Sequence, residues 1–178
     1  MLKKIILAIL VFGCINSVAY GMGGPDYSKL HQAIRDYGVM EVNTRGYGLD
    51  EIKVLVLADP STVIVANEFG NTSLHLASLI YSNIEVVSIL LEAVPEQQRP
   101  AFVMAINEYG NTALHLALRS GDVKIAKLLI EAIPADLRDA FVIARNLDNK
   151  TAMHLAEENG HSNAVVEFLV YYRFATAK

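Results

Sequence analysis

Apolar and polar positions between Asn111 and Glu131 fall into two helical bursts separated by a turn. Thr112 precedes Leu114, Leu116, Ala117 and Leu118, and a threonine at a helix start can cap free backbone amides with its hydroxyl. Ser120-Gly121-Asp122 ends that burst, with Gly121 able to take the left-handed conformation most residues avoid. Val123, Ile125, Ala126, Leu128, Leu129 and Ile130 then recur at helical spacing. The spacing predicts two short antiparallel helices joined by a tight turn. Such a pair cannot bury its apolar face alone and needs neighbours above and below.

Those neighbours are in the same chain. Asn67-Glu68-Phe69-Gly70-Asn71-Thr72-Ser73-Leu74-His75-Leu76-Ala77 recurs as Asn107-Glu108-Tyr109-Gly110-Asn111-Thr112-Ala113-Leu114-His115-Leu116-Ala117. It recurs more loosely as Asn146-Leu147-Asp148-Asn149-Lys150-Thr151-Ala152-Met153-His154-Leu155-Ala156. The histidines step by 40 and then 39 residues, and the first copy carries one extra residue at Tyr81-Ser82-Asn83. A fixed period of this size means a stack of like units rather than one irregular core. Stacks of this kind make surfaces far more often than active sites.

The stretch between units repeats too. Glu92-Ala93-Val94-Pro95, continuing to Ala101-Phe102-Val103-Met104-Ala105, is matched by Glu131-Ala132-Ile133-Pro134, continuing to Ala140-Phe141-Val142-Ile143-Ala144. Pro95 and Pro134 suit the first turn of a short extra helix, packed by its phenylalanine. Upstream, Ser28 to Ile34 reads as a worn first helix, Leu49 to Ala58 as its second, and Asp59 to Ala66 as a shortened connector, with Val39 to Gly48 inserted. An atypical unit is expected at an end that must face water. The last helix, through Val170-Tyr171-Tyr172-Arg173-Phe174, would close the other end.

Thr-Ala-Leu-His-Leu-Ala, Arg119-Ser120-Gly121-Asp122 and Leu128-Leu129-Ile130-Glu131 together resemble the ankyrin repeat. Glu157-Glu158-Asn159-Gly160-His161 and Val165-Val166-Glu167-Phe168-Leu169 extend the resemblance, which covers residues 67–178. The motif's proline is replaced by Ser73, Ala113 and Ala152, Asn149 stands where Gly70 and Gly110 stand, and the units exceed the usual length of about 33 residues. The resemblance implies an all-α solenoid of about four helix-turn-helix units, with an extra short helix in the connectors. Its segments would be a first capping unit over 27–66, repeats over 67–106 and 107–145, and a last repeat with its cap over 146–178. It also implies that the motif histidines are structural, bonding the motif threonine and nearby backbone. Partners would be engaged through the turns before the first helices and the ends of those helices. Carried onto matching positions, these are Glu68, Phe69 and Asn71; Glu108, Tyr109, Asn111, Arg119 and Ser120; and Leu147, Asp148, Lys150, Glu158 and Asn159. Phe69, Tyr109 and Leu147 would form an apolar column beside Glu68, Glu108 and Asp148, unless each ring packs on the neighbouring turn.

The chain start changes where this stack is expected to act. Met1-Leu2-Lys3-Lys4 is basic, Ile5 to Ile15 is an apolar run of 11 residues, and Asn16-Ser17-Val18-Ala19 supplies small residues at a signal-peptidase spacing. The run is shorter than the roughly 20 residues a span needs. Residues 1–19 read as a signal peptide and 20–26 as a flexible leader. Cys14, the one cysteine, reads as an apolar residue of the discarded segment. A lipid anchor at Cys14 is the alternative, but Phe12 fits that motif badly. Cleavage after Ala19 lowers the basic residues from 15 to 13 against 19 acids, leaving −6. That charge argues against nucleic acid, which is bound by neutralising its phosphates.

No cofactor, metal or catalytic constellation is expected. The chain has no Gly-x-Ser-x-Gly elbow, no His-Glu-x-x-His and no phosphate loop with its Lys-Ser/Thr. Glu157 and Glu158 are adjacent and so point different ways on a helix. Stacked helices lie about 8–10 Å apart while zinc–nitrogen bonds are about 2.1 Å, so one ion cannot join successive histidines. The reading is a non-enzymatic, exported scaffold of bacterial type that binds another protein. Its alternatives are an accessory or neutralising partner of a single periplasmic protein, or a lipid-anchored envelope protein with a structural role.

Overall fold

A computed structural model describes residues 28–37, 48–80 and 83–176, with side chains as far as Tyr172. The expected signal segment and leader, Cys14, residues 39–47 of the insertion, and Tyr81 and Ser82 lie outside the described residues.

Among the described residues the chain forms ten α-helices, one 3-10 helix and no strand. They are α1 (Ser28–Tyr37), α2 (Leu49–Ala58), a 3-10 turn (Pro60–Ile64), α3 (Ser73–Leu79), α4 (Ile84–Ala93), α5 (Arg99–Val103), α6 (Ala113–Arg119), α7 (Val123–Glu131), α8 (Ala135–Val142), α9 (Ala152–Glu158) and α10 (Ser162–Thr176). Helices α1, α3, α6 and α9 pack one on the next as an inner row, and α2, α4, α7 and α10 as an outer row. Each inner helix also packs on the outer helix that follows it. The result is the expected all-helical repeat stack.

The inner helices are only seven residues long from α3 onward, too short to hold themselves in water. Their starts are fixed by reciprocal caps. His115 N–H donates to Thr112 Oγ1 at 3.5 Å, and Thr112 N–H donates to His115 Nδ1 at 3.2 Å. The same box closes α3 through Thr72 and His75 and α9 through Thr151 and His154. On the outer row, the Asp122 carboxylate accepts from Ile125 N–H at 3.0 Å and caps α7. Between the rows runs one continuous core through Ile52, Val56, Leu74, Val87, Leu90, Leu114, Leu118, Ile125, Leu129 and Phe168.

The connectors differ from the expectation in one respect. Pro134 is the residue before α8, and Pro95 lies outside α5, which starts at Arg99. Pro95's carbonyl still accepts from Gln98 and Arg99 N–H, at 2.8 and 3.1 Å, so a helical turn opens there. Pro100 has no N–H to return to Glu96, so the turn does not join α5 into one helix. The twin connector has Asp139 at that position and runs unbroken for eight residues. Phe102 and Phe141 are both buried, which is what the repeated Ala-Phe-Val required. Leu129 is buried, whereas Leu128 is only half-buried.

The last helix is pinned back on the stack by polar contacts. Lys127 Nζ pairs with Glu167 at 2.8 Å and lies 5.2 Å from the Tyr171 ring centre. Tyr171 and Tyr172 donate their hydroxyls to Glu131 and Asp139. Burial and then the adjacent carboxylates push both phenols up to about 12.

Candidate partner-binding face

Each inner helix is preceded by a projecting turn, and an asparagine builds it. Asn107 Oδ1 accepts from the N–H groups of Tyr109 and Asn111, both at 3.0 Å, while Gly110 N–H donates to the Asn107 carbonyl at 2.9 Å. Asn67 and Asn146 repeat these bonds in their own turns. The fourth residue of each turn is left-handed, with φ of 71° at Gly70, 73° at Gly110 and 61° at Asn149.

Neighbouring turns are laced together. Glu108 N–H donates to the Phe69 carbonyl at 3.1 Å, and Leu147 N–H to the Tyr109 carbonyl at 3.0 Å. Asn107 Nδ2 donates to Asn71 Oδ1, and Asn146 Nδ2 to Asn111 Oδ1, each at 2.9 Å. The imidazoles add a third tie. Thr72 N–H is a donor to His75 Nδ1, so the ring proton sits on Nε2, which donates to the Asn111 carbonyl at 3.0 Å. His115 does the same with the Lys150 carbonyl at 3.2 Å. Burial holds the His75 ring well below its ordinary range, at about 4, and lowers His115 too, against the pull of those carbonyls. His75 and His115 are mortar between units.

The approach is so close that Gly110 has two reasons to be glycine. A Cβ there would lie 2.8 Å from Leu147 N, nearer than packed atoms come. At Gly70 the equivalent distance to Glu108 N is 3.0 Å. Among the described residues no turn follows the third one, and that is where Asn149 replaces glycine.

Against this frame the expected contact residues divide. Glu68, Phe69, Glu108, Tyr109, Leu147 and Asp148 are exposed along the row of turns. Arg119, Glu158 and Asn159 are exposed at or just past the ends of α6 and α9. Asn111 is buried and Asn71 half-buried, both held by the asparagine ladder, so Asn111 is a stack residue rather than a surface one. Ser120 is half-buried and returns its hydroxyl to the Ala117 carbonyl at 2.9 Å. Lys150 Nζ is paired with Glu158 at 2.7 Å, which raises the lysine's pKa. Asn159 Nδ2 bonds the Leu155 carbonyl at 2.8 Å.

The apolar column is also reordered. Phe69 and Tyr109 occupy the same place in their turns, but the third turn has Asp148 there, with Leu147 in the place of Glu68 and Glu108. Leu147 instead lies back toward Gly110. Two apolar residues escaped the sequence reading. Leu79 stands four residues after its histidine, as Arg119 and Glu158 do, and is exposed. Ile106, directly before Asn107, is exposed as well. Counting from each histidine would have found the first; the second has no counterpart, since Ala66 and Arg145 hold its place.

Among the described residues no group of three His, Cys, Asp or Glu could hold a metal ion, and no helix is long and apolar enough to cross a membrane. The arrangement is a rigid row of turns offering aromatic rings and carboxylates. No curated protein matches the chain. A family model for ankyrin repeats, in three copies, matches residues 30–140. That match begins inside α1, so it takes in the worn first unit, and it stops short of the last unit, whose turn and cap bonds are nonetheless those of the others. The chain belongs to the ankyrin-repeat family, whose members bind other proteins.

Proposed function

We propose that this chain is an exported, non-catalytic scaffold that holds a protein partner against its row of turns. One observation carries the reading. The turns are fixed to one another through their backbones, yet Phe69, Tyr109 and Leu147 stay in solvent. A large side chain on a rigid turn loses little freedom when a partner covers it. Aromatic anchors in such places commonly carry about 2 kcal/mol or more each. Glu68, Glu108 and Asp148 beside them favour a partner that presents lysine or arginine. Export rests on the basic start, the apolar run and the small residues before Ala19.

Phe69→Ala combined with Tyr109→Ala tests the face. The side chains of both residues project from turns held by backbone bonds, so far-UV helicity should not change. Capture of a partner from envelope extract should fall by roughly thirtyfold or more, from about 2 kcal/mol at even one anchor. Undiminished capture by a fully helical double variant would sink the reading. For export, the mass of the chain recovered after expression should correspond to a start at Tyr20. A lipid-modified Cys14 start would select the anchored alternative, and a retained Met1 would reject both.

A further inference from the structure

Three columns run along the row of turns and inner helices, one residue from each unit, and all three change in the same direction. Phe69, Tyr109 and Asp148 follow one another at the turns. Leu79, Arg119 and Glu158 do so four residues after each histidine, and Ile80, Ser120 and Asn159 five residues after it. The first unit gives these columns only apolar side chains. The second gives a phenol, a guanidinium and a hydroxyl, and the third two carboxylates and an amide. Phe69 and Leu79 are 47% and 45% exposed, with Ile80 half-buried beside Leu79. Asp148, Glu158 and Asn159 all face water.

The leucine that follows each motif histidine adds to the slope. Leu76 is half-buried, whereas Leu116 and Leu155 are buried, so the first unit again offers the most apolar surface. At the other end, Lys150 Nζ answers Glu158 at 2.7 Å, leaving one lysine to two carboxylates. The second turn position runs the other way, with Glu68 and Glu108 giving place to Leu147. Leu147 leans back toward Gly110 rather than joining these columns.

A face graded in this way accepts its partner in one direction. A partner laid in reverse would bury a cation against Phe69 and Leu79, and apolar surface against Asp148 and Glu158. Each charge would then lose water and gain no counter-group, which is how an interface rejects a wrong arrangement. Packed helices lie about 8–10 Å apart, so the row from α3 to α9 spans roughly 20 Å, or about six residues of extended chain. We infer that the partner presents an apolar side chain over Phe69 and Leu79, a carboxylate or carbonyl to Arg119, and a lysine or arginine to Asp148 and Glu158. The inference rests on the proposal that the row of turns is the binding face, and it adds the partner's chemistry and its orientation.

The test is selection of a displayed random-peptide library on the protein purified from cells expressing the full sequence. Peptides of about twelve residues span the row even as a helix, at about 1.5 Å per residue. Selected sequences should carry apolar residues toward one end and lysine or arginine toward the other. Leu79→Gln should weaken a selected peptide about tenfold, through the apolar area no longer covered, and leave helicity unchanged. Asp148→Asn with Glu158→Gln should abolish the preference for a basic end and keep the apolar one. An empty selection, basic and apolar residues in no order, or a basic end still preferred by the folded Asp148→Asn, Glu158→Gln variant would each overturn the inference. Peptides that need Phe69 and Tyr109 yet show no such order would overturn it alone; peptides indifferent to those two rings would remove the partner-binding reading beneath it.

Discussion

A buried imidazole that must stay neutral makes this fold sensitive to acid. His75 and His31 are both held at about 4, His75 by burial and His31 by burial and then the nearby Arg35 guanidinium. Their unfolded value is about 6.5, so below that the unfolded chain binds protons that the native chain refuses. Stability is therefore fully present above pH 6.5 and is lost as pH falls toward 4. The loss approaches something on the order of 3 kcal/mol for each such ring. Urea midpoints should fall between pH 7 and pH 4.5, and His75→Gln should flatten the slope; a midpoint that ignores pH in that window would refute it. His115→Ala should lower stability by about 1–3 kcal/mol, because Thr112 N–H and the Lys150 carbonyl lose their shared partner. Partner binding per folded molecule should survive. The left-handed glycines give a second residue-scale comparison. Gly110→Ala and Gly160→Ala share the backbone penalty of about 1–2 kcal/mol, with φ of 73° and 82°. Only the first also drives a Cβ into the next turn, since nothing stands within 4 Å of the one at Gly160. Gly110→Ala should therefore cost clearly more in thermal unfolding, and equal costs would mean the turns are not in contact.

Among the elements, the outer helix α7 separates core from flank most sharply. Leu129→Ala removes a fully buried side chain and should cost about 2–5 kcal/mol. Leu128→Ala, at a half-buried site, should cost visibly less. Chemical denaturation of the two variants decides it, and a larger loss at Leu128 would show the face of α7 to be misassigned. The sequence expectation treated these leucines alike because helical spacing says which residues share a side, not how deeply each lies. The connectors teach a similar lesson. Their recurrence and their phenylalanines were legible, but the break before α5 came from a missing N–H at Pro100, an effect of hydrogen-bond register rather than of hydrophobic pattern.

At the scale of the molecule each unit touches only its neighbours, so damage at one end should stay there. Phe168, on the last helix, is fully buried and stacks on Tyr172, their ring centres 6.3 Å apart. Phe168→Ala should speed amide exchange through α9 and α10 while leaving α3 and α4 protected. Exchange that rises evenly along the chain would indicate one cooperative core instead.

The sequence by itself determined the helical repeat class and the period, because each unit carries its own caps, turns and apolar faces at short range. It also placed the row of turns, from the repeated Asn-x-x-Gly-Asn-Thr pattern. It could not separate mortar from surface. Asn111 and Tyr109 stand two residues apart in the same turn, yet one bonds the following unit and the other faces water. That difference depends on partners 35 residues away in the chain. Nor could it see that Val166 and Val170 lie uncovered, since an apolar residue at helical spacing reads as core until the neighbour that should bury it is located. Those choices belong to the tertiary structure, because burial is a property of what stands opposite a side chain.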